Sequence, residues 1–230
     1  GDTYTVGAVT ADCAVSATFA VDTFAVNFVS GSNGTLTGTA SQAINYGGSA
    51  TAVTAVPSTG YHFVNWTGTG GFVTTTSNPL TVTNVTAAQT ITANFAIDTF
   101  AVTPMAGAGG TITPSTPQTL NYNGTTAFTV TPDTGYNINA VTGCGGTLTG
   151  NTYTTGAITG DCTVTASFID VAQPVMTLST LSDGAVTNNA TLNISGTVTD
   201  NTGVQGLTVN GNAVTVNADD TFSHALILNE

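Results

Sequence analysis

The chain has no lysine and no arginine in 230 residues, against 12 acidic residues, eleven aspartates and Glu230. Binding to DNA or RNA depends on cations that displace counterions from phosphate, so a chain of net charge −12 is repelled from nucleic acids and from anionic membranes alike. The same gap removes a Schiff-base lysine, an arginine finger, a P-loop lysine and any lysine-based isopeptide crosslink. Trypsin has no site.

Other scarcities narrow the reading further. No apolar run approaches the roughly 20 residues of a membrane helix, and no charged n-region with an apolar h-region opens the chain. Only two histidines are present, His62 and His224, and neither stands in a metal-ligand spacing or beside a Ser or Cys nucleophile. They read as strand histidines on partly buried faces, His62 in phase with Val64 and Trp66, and His224 in phase with Leu226 and Leu228. The glycine clusters at 107–110 and 143–146 lack both the GxGxxG order and a following helix, so they read as turns. No catalytic residue, cofactor or metal is expected. Asp200, Asp219 and Asp220 could supply oxygens to Ca²⁺ if they met, but no EF-hand spacing supports that, and solvated turn aspartates are the default.

What is present is a repeat. Asp22-Thr-Phe-Ala-Val26 recurs as Asp98-Thr-Phe-Ala-Val102, a shift of 98 − 22 = 76 residues. Ile44-Asn-Tyr-Gly-Gly48 returns as Leu120-Asn-Tyr-Asn-Gly124, Pro57-Ser-Thr-Gly-Tyr61 as Pro132-Asp-Thr-Gly-Tyr136, and Thr90-Ile-Thr-Ala-Asn-Phe95 as Thr163-Val-Thr-Ala-Ser-Phe168. Two copies of one module therefore occupy 22–97 and 98–171. The opening residues fit the closing part of the same module: Asp2-Thr-Tyr-Thr-Val-Gly-Ala-Val-Thr-Ala-Asp-Cys13 parallels Asn151-Thr-Tyr-Thr-Thr-Gly-Ala-Ile-Thr-Gly-Asp-Cys162. Residues 1–21 are thus expected to be the remnant of a preceding copy.

Within each copy, Phe24, Val26 and Phe28, and again Ile91, Ala93 and Phe95, alternate with polar or small residues, the period-2 signature of half-buried strands. Abundant Thr and Val favour strands, while strong helix formers such as Lys, Arg and Glu are almost absent. Little helix is expected.

Modules of about 75 residues bury a limited core and often rely on staples. In the repeat alignment Cys144 stands opposite Thr69 and Cys162 opposite Gln89, so the two cysteines are present or absent as a unit, which is what a disulfide predicts. Cys13 occupies the place of Cys162, and its partner is expected 18 residues earlier, before the first residue of the chain. Three reduced thiols in a cytosolic protein are the alternative.

After Asp170 the pattern changes. Val171-Ala-Gln-Pro174 reads as a linker into a different module, 172–230, in which Leu192, Ile194 and Val198 alternate with polar residues. Leu207 and Val209 lead into Asn210-Gly211, the strongest short hairpin signal, answered by Val214 and Val216. A seven-strand sandwich needs about 100 residues, so this last module is expected to be incomplete.

The repeated residues, namely the Asn-Gly-Thr or Gly-Gly-Thr turn, the Tyr-Gly or Tyr-Asn-Gly step, Pro57-Ser-Thr-Gly-Tyr-His-Phe-Val-Asn-Trp-Thr67 and Ala93-Asn-Phe95, resemble the divergent internalin B-repeat family of bacterial surface proteins. The second copy departs from that pattern with Val141 where Trp66 stands. The stretch Gln173-Pro-Val through Ser182-Asp-Gly-Ala-Val-Thr187, Ile194-Ser-Gly-Thr-Val-Thr-Asp200 and Asp219-Asp-Thr-Phe-Ser223 resembles the Ig-like module of glucodextranases and many bacterial surface proteins.

The resemblances imply an all-β chain: tandem small β-grasp-like sheets followed by an Ig-like β-sandwich. They also imply a spacer or adhesion role in an extracellular, secreted or cell-surface protein, not an enzyme. The expected partners are further copies or neighbouring modules, because unpaired sheet edges accept strands, with a glycan or cell-surface ligand as the alternative. For that alternative Tyr61 and Trp66 are the candidate stacking surface, while a lone Trp in so small a module more often plugs the core.

Overall fold

A computed structural model of the chain describes residues 3–179 and 190–228. Every regular element among them is a strand. The Ser182–Thr187 part of the Ig-like resemblance, Gly1–Asp2 and Glu230 lie outside the described residues.

The first repeat contains β1 (Thr23–Ser30), β2 (Gly34–Thr37), β3 (Ser41–Asn45), β4 (Thr54–Pro57), β5 (Tyr61–Gly68) and β6 (Gln89–Ile97). Four of them form a mixed sheet in the order β3-β1-β6-β5. β1 and β6 run parallel at the centre, and β3 and β5 flank them antiparallel. A parallel pair cannot be joined by a tight turn, so the intervening chain crosses over and buries one face of the sheet, with β2 and β4 paired as a small second sheet. Val26 and Phe28 from β1, and Ile91 and Ala93 from β6, point into that core, as their alternation requires.

One strand departs from simple alternation. A β-bulge in β5 falls between Phe63 and Asn65, where the register against β6 slips by one residue. Because side chains alternate with period two, an inserted residue exchanges the two faces. His62 and Val64 therefore face outward while Phe63 and Trp66 face inward, which corrects the sequence phase that set His62 and Val64 alongside Trp66.

The second repeat contains β7 (Thr99–Ala106), β8 (Gly110–Thr113), β9 (Gln118–Asn121), β10 (Ala127–Pro132), β11 (Tyr136–Thr142), β12 (Thr147–Thr149), β13 (Thr152–Thr154) and β14 (Cys162–Asp170). Its main sheet, β11-β14-β7-β9, repeats the first with β7 and β14 parallel at the centre, and β11 carries the corresponding bulge between Ile138 and Ala140. The facing sheet is larger here, four strands in the order β12-β13-β10-β8.

The two cores fill similar space with different residues. Aligning Phe168 on Phe95, a shift of 168 − 95 = 73, sets Tyr153 opposite Leu80, which is 153 − 80 = 73 residues earlier. Val53 and Leu80 bridge each other in the first module, and Phe128 and Tyr153 pair in the second. The set Trp66, Val53 and Leu80 is thus replaced by Val141, Phe128 and Tyr153: the large ring leaves the strand after the bulge and reappears on the facing layer. Each polar ring atom keeps a backbone partner, Trp66 Nε1 donating to the Ser77 carbonyl and the Tyr153 hydroxyl to the Gly143 carbonyl.

Gly34 and Gly110, 76 residues apart, occupy equivalent places where the rings of Phe95 and Phe168 stand against the backbone. A Cβ at Gly110 would enter the Phe168 ring and approach the Thr131 carbonyl oxygen to 2.7 Å. Overpacking of this kind costs about 1–3 kcal/mol. Gly110→Ala should lower the urea midpoint of the second module accordingly, and an unchanged midpoint would show that the ring moves aside freely.

The C-terminal module contains β15 (Val175–Leu178), β16 (Thr191–Thr199), β17 (Leu207–Val209), β18 (Asn212–Val214) and β19 (Thr221–Ile227). β15-β16-β19 form one antiparallel sheet, and β17 and β18 a hairpin across from it. Asn210 and Gly211 both have positive φ, 49° and 79°, the requirement of the type I′ turn read from the Asn-Gly pair. Val198, Val214 and Phe222 make a small core between the two layers.

Candidate functional site

Cys144 and Cys162 form a disulfide, with Cα atoms 5.5 Å apart across 18 residues. Cys162 opens the central strand β14, and Cys144 sits in the glycine-rich turn after β11 with φ 48°. The cystine ties that turn to the sheet, and both cysteines pack on the second-module core. In the first module Thr69 and Gln89 hold these two places. There the tie is made by hydrogen bonds: Thr69 N–H donates to the Thr90 carbonyl at 3.0 Å, and Thr90 N–H to Thr69 Oγ1 at 3.2 Å. Gln89 Oε1 is buried without a hydrogen-bond partner among the described residues.

Trp66 is fully buried, held between Phe28 and Phe63 at ring-centroid distances of 5.9 and 5.6 Å. A fully buried indole cannot stack on a sugar, so the candidate ligand surface at Tyr61 and Trp66 is corrected: Trp66 belongs to the core, and Tyr61 is a half-buried strand residue paired with Ile97. The exposed aromatic of this module is Tyr46, whose ring lies 6.3 Å from Phe24. Sequence reading passed over it because a Tyr-Gly step reads as turn chemistry.

His62 is exposed, and its Nδ1 stands 2.7 Å from Asp98 Oδ1. His224 is half-buried on β19, on the same face as Leu226. Asp200, Asp219 and Asp220 do not gather. Asp219 accepts from the Thr221 hydroxyl and N–H within its own turn, while Asp200 accepts from the Thr202 hydroxyl and N–H. Among the described residues no three His, Cys, Asp or Glu side chains come together as metal ligands.

The polar feature invisible in the sequence is Asp170, at the end of β14. Its carboxylate accepts from the Thr202 hydroxyl, 32 residues on, and from Ala172 N–H at 2.9 Å, while Val171 and Ala172 N–H groups both donate to the Gly135 carbonyl. These bonds fasten the start of the Ig-like module to the second repeat. The Thr202 hydroxyl, then the Ala172 N–H, hold the Asp170 carboxyl below the ordinary aspartate range, and Thr221 does the same for Asp219.

A folded-state value below the unfolded one means that the stabilisation is present above about pH 4 and is lost as pH falls through the lowered value. In a ¹³C-detected carboxyl titration Thr202→Val should raise the Asp170 midpoint toward the ordinary value and leave Asp219 unmoved. Equal midpoints with and without the Thr202 hydroxyl would show that this contact is not made in solution.

Two small mixed sheets in tandem, one pinned by a cystine and one by a buried tryptophan, followed by an Ig-like module, define a modular repeat protein whose domains are of repeat and accessory types. The chain belongs to the divergent InlB B-repeat domain family, which it matches over residues 24–99 and again over 100–172. Residues 174–230 match domain B of glucodextranase. No curated protein and no solved structure matches the chain.

Proposed function

We propose that the chain is a structural and adhesive stretch of a secreted or surface-anchored bacterial protein, whose modules space or present other parts of the molecule and do no chemistry themselves. The observation that carries this reading is the way its modules are joined. Only Asp98 separates β6 from β7, and the step from β14 to the Ig-like module is bonded through Gly135, Asp170 and Thr202. Short connections of this kind suit a tandem array of repeat modules. A cystine also suits an oxidising compartment, and a chain without trypsin sites suits persistence outside the cell.

Self-association into filaments is the finer form of the proposal, since β3, β9 and β11 end their sheets among the described residues and their outer edges can accept strands. Antibody labelling of intact cells, together with electron microscopy of the purified chain, tests both levels. Surface labelling and filaments are expected. Label found only after lysis would overturn the location, and a strict monomer at high concentration would overturn the filament.

The glucodextranase match favours a second reading, an accessory carbohydrate-binding or spacer region of a secreted polysaccharide-degrading enzyme. Glycan-array binding that is lost in Tyr46→Ala, with thermal unfolding unchanged, would establish that reading in place of the first.

A further inference from the structure

The facing sheet of the second module, β12-β13-β10-β8, buries Ile112, Phe128, Val130 and Tyr153 on its inner side. Alternation with period two turns the residues between them outward, and each of the four strands carries a Thr-x-Thr step there. The register sets Thr149, Thr152, Thr129 and Thr113 side by side in one row across all four strands. The pair Thr147 and Thr154 flanks that row on one side, and the pair Thr131 and Thr111 on the other. All of these threonines are exposed, and Ala127, beside Thr154, is the remaining strand residue on the face.

The face is therefore a two-dimensional array of one chemical group. Its repeat is about 4.8 Å from strand to strand and about 6.7 Å along each strand, the spacings of a pleated sheet. A row that crosses the strands lies close to the axis about which a sheet twists, so the central row stays straight. None of these hydroxyls has a hydrogen-bond partner within the chain among the described residues, whereas on the Ig-like sheet Thr177 and Thr197 bond each other and Thr221 bonds Asp219. No charged, amide or aromatic side chain stands in the rows. The first module lacks the array: its small facing sheet pairs only β2 with β4, which sets Thr37 beside Thr54 and Thr35 beside Val56.

We infer that the outer face of β12-β13-β10-β8 is an ice-binding surface, which engages the oxygen lattice of a growing ice face through the row Thr149, Thr152, Thr129 and Thr113 and its flanking pairs. A dissolved sugar or peptide is recognised by a few convergent groups of different kinds. This face offers a single kind of group at regular intervals, and only a periodic ligand uses all of it. Ice is such a ligand, built from donors and acceptors, and each threonine hydroxyl both donates and accepts. The methyl groups between the hydroxyls restrict the orientation of first-shell water, so the water held there is partly arranged before it joins the crystal. Charge would oppose this, because an ammonium group keeps a strong hydration shell of its own, and the chain has no Lys or Arg.

The test uses the whole chain with its cystine intact. A single ice crystal is held just below its melting point in the protein solution and its shape is followed, and the partition of protein into slowly grown ice is measured. A faceted crystal and enrichment of protein in the ice fraction are expected. Thr152→Tyr keeps a strand-forming residue and lays a ring across the central row. It should abolish both effects while leaving thermal unfolding and the Cys144–Cys162 bond unchanged. If that variant does not fold, Thr129→Ser with Thr152→Ser takes its place: it keeps the hydroxyls, removes two methyl groups from the row, and should lower the partition into ice. Thr37→Tyr, in the first module, should behave as the unaltered chain.

Round crystals with the protein excluded from the ice would overturn the inference. So would faceting and partition unchanged in the folded Thr152→Tyr protein, or in the double serine variant where that one serves. Loss of both effects in a folded Thr37→Tyr protein would place the surface elsewhere and overturn it as well. Binding to crystalline cellulose with no effect on ice would assign the face to a polysaccharide in place of ice.

Discussion

Trp66→Ala is expected to destabilise the first repeat module by about 3–5 kcal/mol, the range for emptying a large aromatic site in a packed core. The indole is fully enclosed, its neighbours Phe28 and Phe63 are themselves anchored on β1 and β5, and removal leaves the Ser77 carbonyl without its donor. A module of this size has little margin to absorb such a loss.

The second repeat indicates how the loss can be recovered. There Val141 stands where Trp66 does, and the volume is supplied from the other layer by Phe128 and Tyr153. Trp66→Val should therefore cost several kcal/mol alone, whereas adding Val53→Phe and Leu80→Tyr should restore a large part, with a favourable coupling of about 1–3 kcal/mol among the three sites. Urea unfolding followed by amide exchange in β1 and β6 measures this without relying on the tryptophan. A triple variant no more stable than Trp66→Val alone would mean that the two cores solve their packing independently and not by exchange of one ring.

That exchange also marks where the sequence stops being readable. The strands were legible because Phe24-Val26-Phe28 and Ile91-Ala93-Phe95 alternate cleanly, and because each element occurs twice, so a turn such as Asn33-Gly34 is confirmed by Gly109-Gly110. The chain that follows Thr67 was not legible in the same way, since compensation between Trp66 and Tyr153 couples positions whose separation differs between copies. The bulges were hidden for a related reason: inserting one residue into β5 or β11 changes no residue type and only inverts the faces that follow. Long-range polar contacts were least visible. Asp170 and Thr202 are ordinary linker and turn residues until folding brings them together, and no local pattern distinguishes them from Asp133 or Thr134. Cysteines, by contrast, announced their relation through joint presence and absence, because a thiol without its partner carries a cost that threonine and glutamine do not.

The same correspondence makes the crosslink transferable. Cys144 and Cys162 close an 18-residue loop, for which the chain-entropy account gives about 3 kcal/mol of stabilisation. Replacing both with serine should lower the second module's stability by about that amount, with the glycine turn at 143–146 loosening first because it would then be held by the Tyr153 hydroxyl on Gly143 and the Gly156 N–H on Cys144 without a covalent tie. In the first module the loop from Thr69 to Gln89 is two residues longer, 89 − 69 = 20, and the chain-entropy term rises only logarithmically with that length. The backbone is already in place there: Thr69 and Thr90 are hydrogen-bonded in both directions, and Gln89 buries a side-chain oxygen that no donor reaches among the described residues. Thr69→Cys with Gln89→Cys should therefore form a disulfide spontaneously in air and raise the first module by up to about 3 kcal/mol, a gain that vanishes on reduction. Removing the unpartnered amide oxygen adds to it, since a buried acceptor without a donor costs about 1–3 kcal/mol. Differential scanning calorimetry with and without reductant separates the two contributions: a gain that persists under reductant belongs to the amide, and the remainder to the crosslink. If the two thiols remain free in the folded protein, the positions are not equivalent across the repeat, and the pairing of Cys144 with Cys162 is a property of the second module alone.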